Sequence, residues 1–172
     1  MSLSVPSPRQ GMILDACVLI DFIKADRVIL ASISKHLGSL HVIQEVLEEV
    51  HEIHHIEEIL ELGIKVIEPE LEDVFTAAQK RGPLSFQDWL CLLTAKRHGL
   101  TCVTNDKSLR KICQQEEIPL RWGLELLVEL YRCGGTTRKD ALEVARKIHK
   151  NNPKHITVRL LRRFERMILR KI

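Results

Sequence analysis

Short apolar runs that end on polar groups alternate with segments of helical period along most of this chain, and that alternation constrains the fold more than any other feature. The runs fall at residues 11–14, 40–43, 64–67, 101–104 and 118–121. A brief, continuously apolar run bounded by turn-forming residues reads as a strand buried on both faces, which is the environment of a parallel sheet. Between the runs, residues such as Val18, Leu19, Phe22 and Ile23, or Leu71, Val74, Phe75 and Ala78, recur at helical spacing. Strands alternating with helices predict a three-layer α/β/α sandwich around a central, mostly parallel sheet.

The clearest unit is residues 85–106, SFQDWLCLLTAKRHGLTCVTND. Ser85 is a good N-cap, and Asp88 three residues on completes a capping pattern. The helical period then runs to the basic residues Lys96, Arg97 and His98, and Gly99 supplies the stop. Residues 101–104 form the next strand, and its carboxyl end carries Asn105 and Asp106. Asp15 ends the first strand in the same way. In open α/β sheets that end is where ligands and chemistry sit. Taken singly, Asp88 is accounted for as a capping acid and Asp106 as the N-cap of the helix that begins at Lys107.

A long helix is predicted over residues 44–63, QEVLEEVHEIHHIEEILELG. It would bury Val46, Leu47, Val50 and Ile53 and carry Glu45, Glu49 and Glu52 on another face. Like charges at i, i+4 and i+7 repel one another unless a cation neutralises them. Asp15, Glu49, Asp88 and Asp106 therefore stand together as acids at strand ends or in the turns that follow. Carboxylates converging with few basic neighbours call for a hard divalent cation with oxygen ligands, Mg²⁺ or Mn²⁺. Asp21, further along the first helix, is a weaker candidate.

With 172 residues, 45% of them hydrophobic and 28% charged, the chain suits one soluble domain with a real core. No apolar run approaches the roughly 20 residues needed to span a bilayer. Residues 1–10 lack the apolar core of a signal peptide and read as a flexible tail, so a cytoplasmic location is expected. The five cysteines are odd in number and contain no CxxC, which fits free thiols and neither a disulfide framework nor a cysteine zinc site. Charge is segregated. Up to Tyr131 there are 13 Lys plus Arg against 20 Asp plus Glu, a net of −7, and from Arg132 onward 13 against 3, a net of +10. The basic part divides at Asn151-Asn152-Pro153 into two helices. In the second, Arg159, Arg163, Arg166 and Arg170 line up opposite an apolar stripe of Leu160, Leu161, Phe164 and Ile168. Such a face suits a polyanion or an acidic protein. Aromatic residues are only 4% of the chain, which argues against base recognition by stacking.

The segments MILDACVLIDF, VIQEVLEEV, LSFQDWLCLLTAKRHG and CVTNDKSLRKI, in that order over residues 12–131, resemble the acidic motifs of PIN-domain ribonucleases, including the VapC-type toxins. The resemblance implies a PIN-like fold over residues 11–134, with residues 135–172 as a basic helical extension packed on the same domain. It implies metal-dependent hydrolysis of RNA phosphodiester bonds, with Asp15, Glu49, Asp88 and Asp106 as the metal-binding and catalytic acids and Mg²⁺ or Mn²⁺ as cofactor. Thr104 and Asn105 match the polar residues before the last acid, and Glu45 and Glu48 remain rivals to Glu49. RNA would be the substrate, with Lys107, Arg110, Lys111 and the tail arginines as candidate basic contacts. An antitoxin that fills the acidic groove and a homodimer are the partners implied. One departure is Cys17, where the family usually carries Ser, Thr or Asn.

Two other readings stand beside this one. A PIN-like fold can serve as a catalytically silent binding or assembly module. Residues 51–55, HEIHH, also satisfy the HExxH pattern of zinc proteases, which requires His51 and His55 on one helical face with Glu52 as general base.

Overall fold

The computed structural model describes residues 9–170. Five strands form one sheet: β1 (Met12–Leu14), β2 (Leu40–Ile43), β3 (Ile64–Ile67), β4 (Thr101–Val103) and β5 (Leu120–Arg121). Every neighbouring pair is parallel, in the order β3-β2-β1-β4-β5. The sheet is thus wholly parallel, and helices surround it. Met12 to Leu14 and Thr101 to Val103 are buried at every position, because the central strands β1 and β4 are covered on both faces.

Chain order reverses between β1 and β4. From β1 the chain moves outward through α1 (Ala16–Asp26) and α2 (Val28–His36) to β2, and through α3 (Gln44–Leu47) and α4 (Ile56–Glu61) to β3. It then crosses back through α5 (Leu71–Gln79) and α6 (Phe86–His98) to pair β4 with the other side of β1. Loops at the carboxyl ends of these two strands diverge and leave a crevice. Asp15 follows β1, and Thr104, Asn105 and Asp106 follow β4, so both sets stand at this edge of the sheet, with Asp15, Thr104 and Asn105 buried there.

The middle of helix α6, from Trp89 to Ala95, is buried nearly all round, as a helix packed on two sides must be. It lies across β1, β2 and β4 and against α5, with Leu90, Cys91, Leu92 and Ala95 completely buried. Truncation of a side chain such as Leu90 to alanine would cost about 2–5 kcal/mol. Its two ends behave as the sequence indicates. Ser85 and Asp88 form a reciprocal capping box, with both bonds at 3.0 Å, and Gly99 closes the helix in the left-handed conformation at φ 63°. Arg97 adds a bidentate tie to α5, with Nε 2.6 Å from Asp73 Oδ2 and Nη2 2.8 Å from Asp73 Oδ1.

The single long helix expected over residues 44–63 does not form. Helix α3 stops at Leu47, turns follow, and α4 starts only at Ile56. In the break, the amides of Glu49, Val50 and Ile53 bond three residues back, to Val46, Leu47 and Val50 at 3.1–3.2 Å. The acidic repeat explains the preference. A continuous helix would stack Glu45, Glu49 and Glu52, whereas the turns bring Glu52 to Lys24 at 3.1 Å. Glu58 accepts from the amides of His54 and His55 at 2.9 and 3.0 Å, which starts α4 afresh. Residues 51–55 therefore share no helical face, and the geometry that a zinc protease needs from HExxH is absent. Glu52 is occupied by Lys24.

Beyond β5, α7 (Lys107–Gln115) having preceded it, the chain continues through α8 (Gly123–Arg132), α9 (Arg138–Asn151) and α10 (Val158–Leu169). Helix α9 packs on α1 and α8, and α10 on α8 and α9. Ala141, Val144, Ala145, Ile148, Ile156, Phe164 and Ile168 join the apolar cluster that includes the strands. The tail expected at residues 1–10 falls mostly outside the described residues. Within them, Gln10 Nε2 donates to the Gly99 carbonyl at 2.9 Å and Arg9 donates to that of His36.

Candidate functional site

Asp15 is the N-cap of α1 and only 3% exposed. Its Oδ1 accepts from the amide of Val18 at 2.8 Å, and its Oδ2 accepts from the hydroxyl of Thr104. Thr104 in turn accepts from the backbone amide of Asp106 at 3.1 Å, so one buried hydroxyl ties the Asp15 carboxylate to the main chain at Asp106. Asp106 is the N-cap of α7, where Oδ1 accepts from Leu109 N at 2.9 Å. Capping uses one carboxylate oxygen and leaves acceptor capacity on the other.

Burial holds the Asp15 carboxyl far above its ordinary range, at about 7; the charges of Asp88 and Asp21 add to the rise, while the bonds from Thr104 and Val18 oppose it. Glu49 lies exposed in the turn after α3, and its carboxyl is also raised, first by desolvation and then by the charge of Asp88. Asp88, in the first turn of α6, is the charge that Asp15 and Glu49 both sense. Of the two rivals on the acidic segment, Glu48 is exposed, and Glu45 keeps Oε2 buried with no hydrogen-bond partner among the described residues. Three of the acids are near enough to interact in the pairs Asp15 with Asp88 and Glu49 with Asp88, and Thr104 ties the Asp15 carboxylate to the backbone amide of Asp106. No group of three or more acid, histidine or cysteine side chains among the described residues is already gathered tightly enough to hold a metal ion.

A divalent cation fits the chemistry of this donor set. The acids offer oxygen only, which suits Mg²⁺ or Mn²⁺. Asp15 has no ion-pair partner among the described residues, and a neighbouring positive charge would favour its ionised form. Cys17 offers sulfur, a poorer match for Mg²⁺ or Mn²⁺ than the carboxylate oxygens. Burial, followed by the charges of Asp15 and Asp21, pushes its thiol up to about 12, so sulfur stays protonated.

The sequence pattern ranks Asp21 low, yet it sits at the centre of a second buried network. Asn105 Nδ2 donates to Asp21 Oδ2 at 3.2 Å, and Asn152 Nδ2 reaches both Asp21 oxygens at 3.0 and 3.2 Å. Asn152 also lies 3.4 Å from Cys17 Sγ. Asn105 is fixed from its other end by the amide of Gly123 at 3.0 Å, where a Cβ would come within 3.2 Å of the Asn105 amide. Desolvation raises Asp21 to about 6 despite these donors. The Asn-Asn-Pro breaker thus does more than separate two helices, since Asn152 pins the α9–α10 connection to the wall of the crevice. No local pattern in the sequence indicates a contact between residues 21 and 152.

A wholly parallel α/β sheet with Asp15 and Asp106 following the two strands at its switch point defines a class of fold built to bind ligands at that edge. A family model for the PIN domain matches residues 12–115, more than half of the chain, and the chain belongs to the PIN-domain family. No curated protein and no solved structure matches it. The family has a nuclease-type fold and is generally metal-dependent. Among the described residues no helix is long and apolar enough to cross a membrane.

Proposed function

We propose that this protein is a divalent-metal-dependent endoribonuclease that hydrolyses RNA phosphodiester bonds, with Asp15, Glu49, Asp88 and Asp106 as the acids that hold the metal. The observation that best supports this is the Thr104 hydroxyl holding the Asp15 carboxylate against the backbone amide of Asp106 at the switch point, with Asp88 close enough to raise both Asp15 and Glu49. When bound, Mg²⁺ or Mn²⁺ would lower the pKa of water and neutralise charge on the scissile phosphate. The protein's part is positional. Val18 and Thr104 fix the Asp15 carboxylate, helix capping fixes Asp106, and Ser85 fixes Asp88. No nucleophilic side chain is required.

In the narrower form of this reading the protein is a VapC-type toxin. A basic antitoxin segment would then pair with the same carboxylates, and the toxin would act as a homodimer in the cytoplasm. The acidic crevice is the feature that suits such a partner.

The test is cleavage of total RNA by the purified protein with Mg²⁺ or Mn²⁺ and with EDTA, alongside Asp15→Asn and Glu52→Gln. Metal-dependent cutting that is lost in Asp15→Asn and kept in Glu52→Gln is the expected result. A folded, partner-free sample that cuts under no metal contradicts it and favours a silent binding module.

A further inference from the structure

The excess positive charge of the last quarter of the chain is not spread evenly, and one part of it opens beside the acids at the switch point. A groove between the start of α7, the N-cap of α8 and helix α10 is lined by Lys107, Trp122, His155, Arg159, Arg163 and Arg166. Lys107 directly follows Asp106. Arg110 donates to the Thr104 carbonyl at 3.2 Å while its guanidinium lies 3.8 Å above the Trp122 ring, so the groove and the acidic site share a wall. Asn152, bonded to Asp21, secures the segment that leads into α10.

The pairing of these charges is informative. Among the described residues Lys107, Arg159, Arg163 and Arg166 form no ion pair. The basic face of α9 is partly neutralised, since Arg146 meets Glu165 at 3.0 Å and Lys147 meets Glu143 at 2.9 Å, while Lys139 and Lys150 form no ion pair among the described residues. Three uncompensated cations along two turns of α10 and a fourth at the start of α7 repel one another, and they suit a ligand that carries a row of negative charges. Guanidinium groups bind phosphate oxygens with two parallel donors.

We propose that this groove is a track for the phosphate backbone of single-stranded RNA, which carries the strand past α10 to the acids at the switch point. That direction of travel rests on the nuclease reading, whereas the binding itself does not. Contacts to the backbone alone carry no base information, so the track would hold RNA without sequence preference. An acidic protein segment is the competing occupant. RNA is favoured because the row of cations runs up to Lys107, next to the acid Asp106.

The experiment is fluorescence anisotropy of labelled single-stranded RNA of mixed sequence with the full chain in EDTA, where cleavage cannot contribute. Affinity is measured against salt concentration. Each phosphate contact to a single strand contributes about −0.7 to the slope of log affinity against log salt, so Arg159→Gln/Arg163→Gln/Arg166→Gln should flatten it by about 2. The same number of charges removed from α9, in Arg146→Gln/Lys147→Gln/Lys150→Gln, should leave the slope unchanged. All six residues are exposed, and circular dichroism checks that both variants fold. An unchanged slope in the α10 variant, or an equal loss in both, overturns the proposal. Loss of polyglutamate binding with RNA binding intact in the α10 variant overturns it in favour of an acidic protein. Binding that behaves as expected in a protein that never cuts RNA would leave the track standing and remove the nuclease reading.

Discussion

Asp15→Asn should make the metal-free protein more stable at neutral pH, even though it removes an acid central to the site. The folded carboxyl titrates at about 7 against 3.8 for its ordinary value. Below pH 3.8 both folded and unfolded chains hold the proton. As pH rises from there, the unfolded chain releases its proton first, so stability is lost progressively until the folded carboxyl ionises near 7. Each tenfold difference in proton affinity between the two states is worth about 1.4 kcal/mol, so the loss is up to about 4 kcal/mol. Buried sites behave as though they are more polarisable than a dry interior, which brings the expected excess stability of the variant at pH 7.5 to about 2 kcal/mol. Asparagine keeps an oxygen to accept from Val18, and its NH2 can donate to the Thr104 hydroxyl where the carboxylate accepted from it, so a bond survives on each side. For a chain of this size the gain is about 4–8 °C in Tm. Thermal unfolding in EDTA from pH 4 to pH 8 measures it. Wild type should lose ground on Asp15→Asn across that interval. Parallel curves, or a variant less stable than wild type at pH 7.5, would refute the reasoning. Saturating Mn²⁺ should reverse the order, because it stabilises only a chain that binds it.

Two further substitutions separate structure from chemistry. Asp106→Asn keeps a good N-cap on α7, so urea denaturation should show a change within about 0.5 kcal/mol while metal-dependent RNA cleavage falls at least about a hundredfold. Thr104→Val deletes the buried hydroxyl that serves both Asp15 and Asp106, and should cost about 1–3 kcal/mol in urea along with a weaker apparent affinity for the activating metal in cleavage assays.

What the sequence made legible was whatever depends on neighbours along the chain. The strand at β4, the capping box of Ser85 and Asp88, the Gly99 stop and the placing of Asp15 and Asp106 at strand ends all follow from local apolar runs and cap chemistry. The acidic segment misleads because hydrophobic spacing at Val46, Val50 and Ile53 satisfies a helix and a series of turns alike. Charge makes the choice, through Lys24 with Glu52 and the separation of stacked glutamates. Arg97 with Asp73, Arg110 on Trp122 and Asn152 with Asp21 are out of reach for another reason. Each joins groups that only the packed fold brings together, and nothing about an isolated asparagine in a helix break marks it as part of a crevice wall.

The central claim is that four acids from separate elements form one divalent-cation site, although no three of them are already gathered to hold an ion. Calorimetric titration of Mn²⁺ into the wild-type chain and into Asp15→Asn, Glu49→Gln, Asp88→Asn and Asp106→Asn tests it most directly. Saturable binding in the wild type that weakens in every one of the four variants is the predicted result. Wild-type affinity in Glu49→Gln and Asp88→Asn would contradict it, and would confine the site to Asp15 and Asp106 across Thr104.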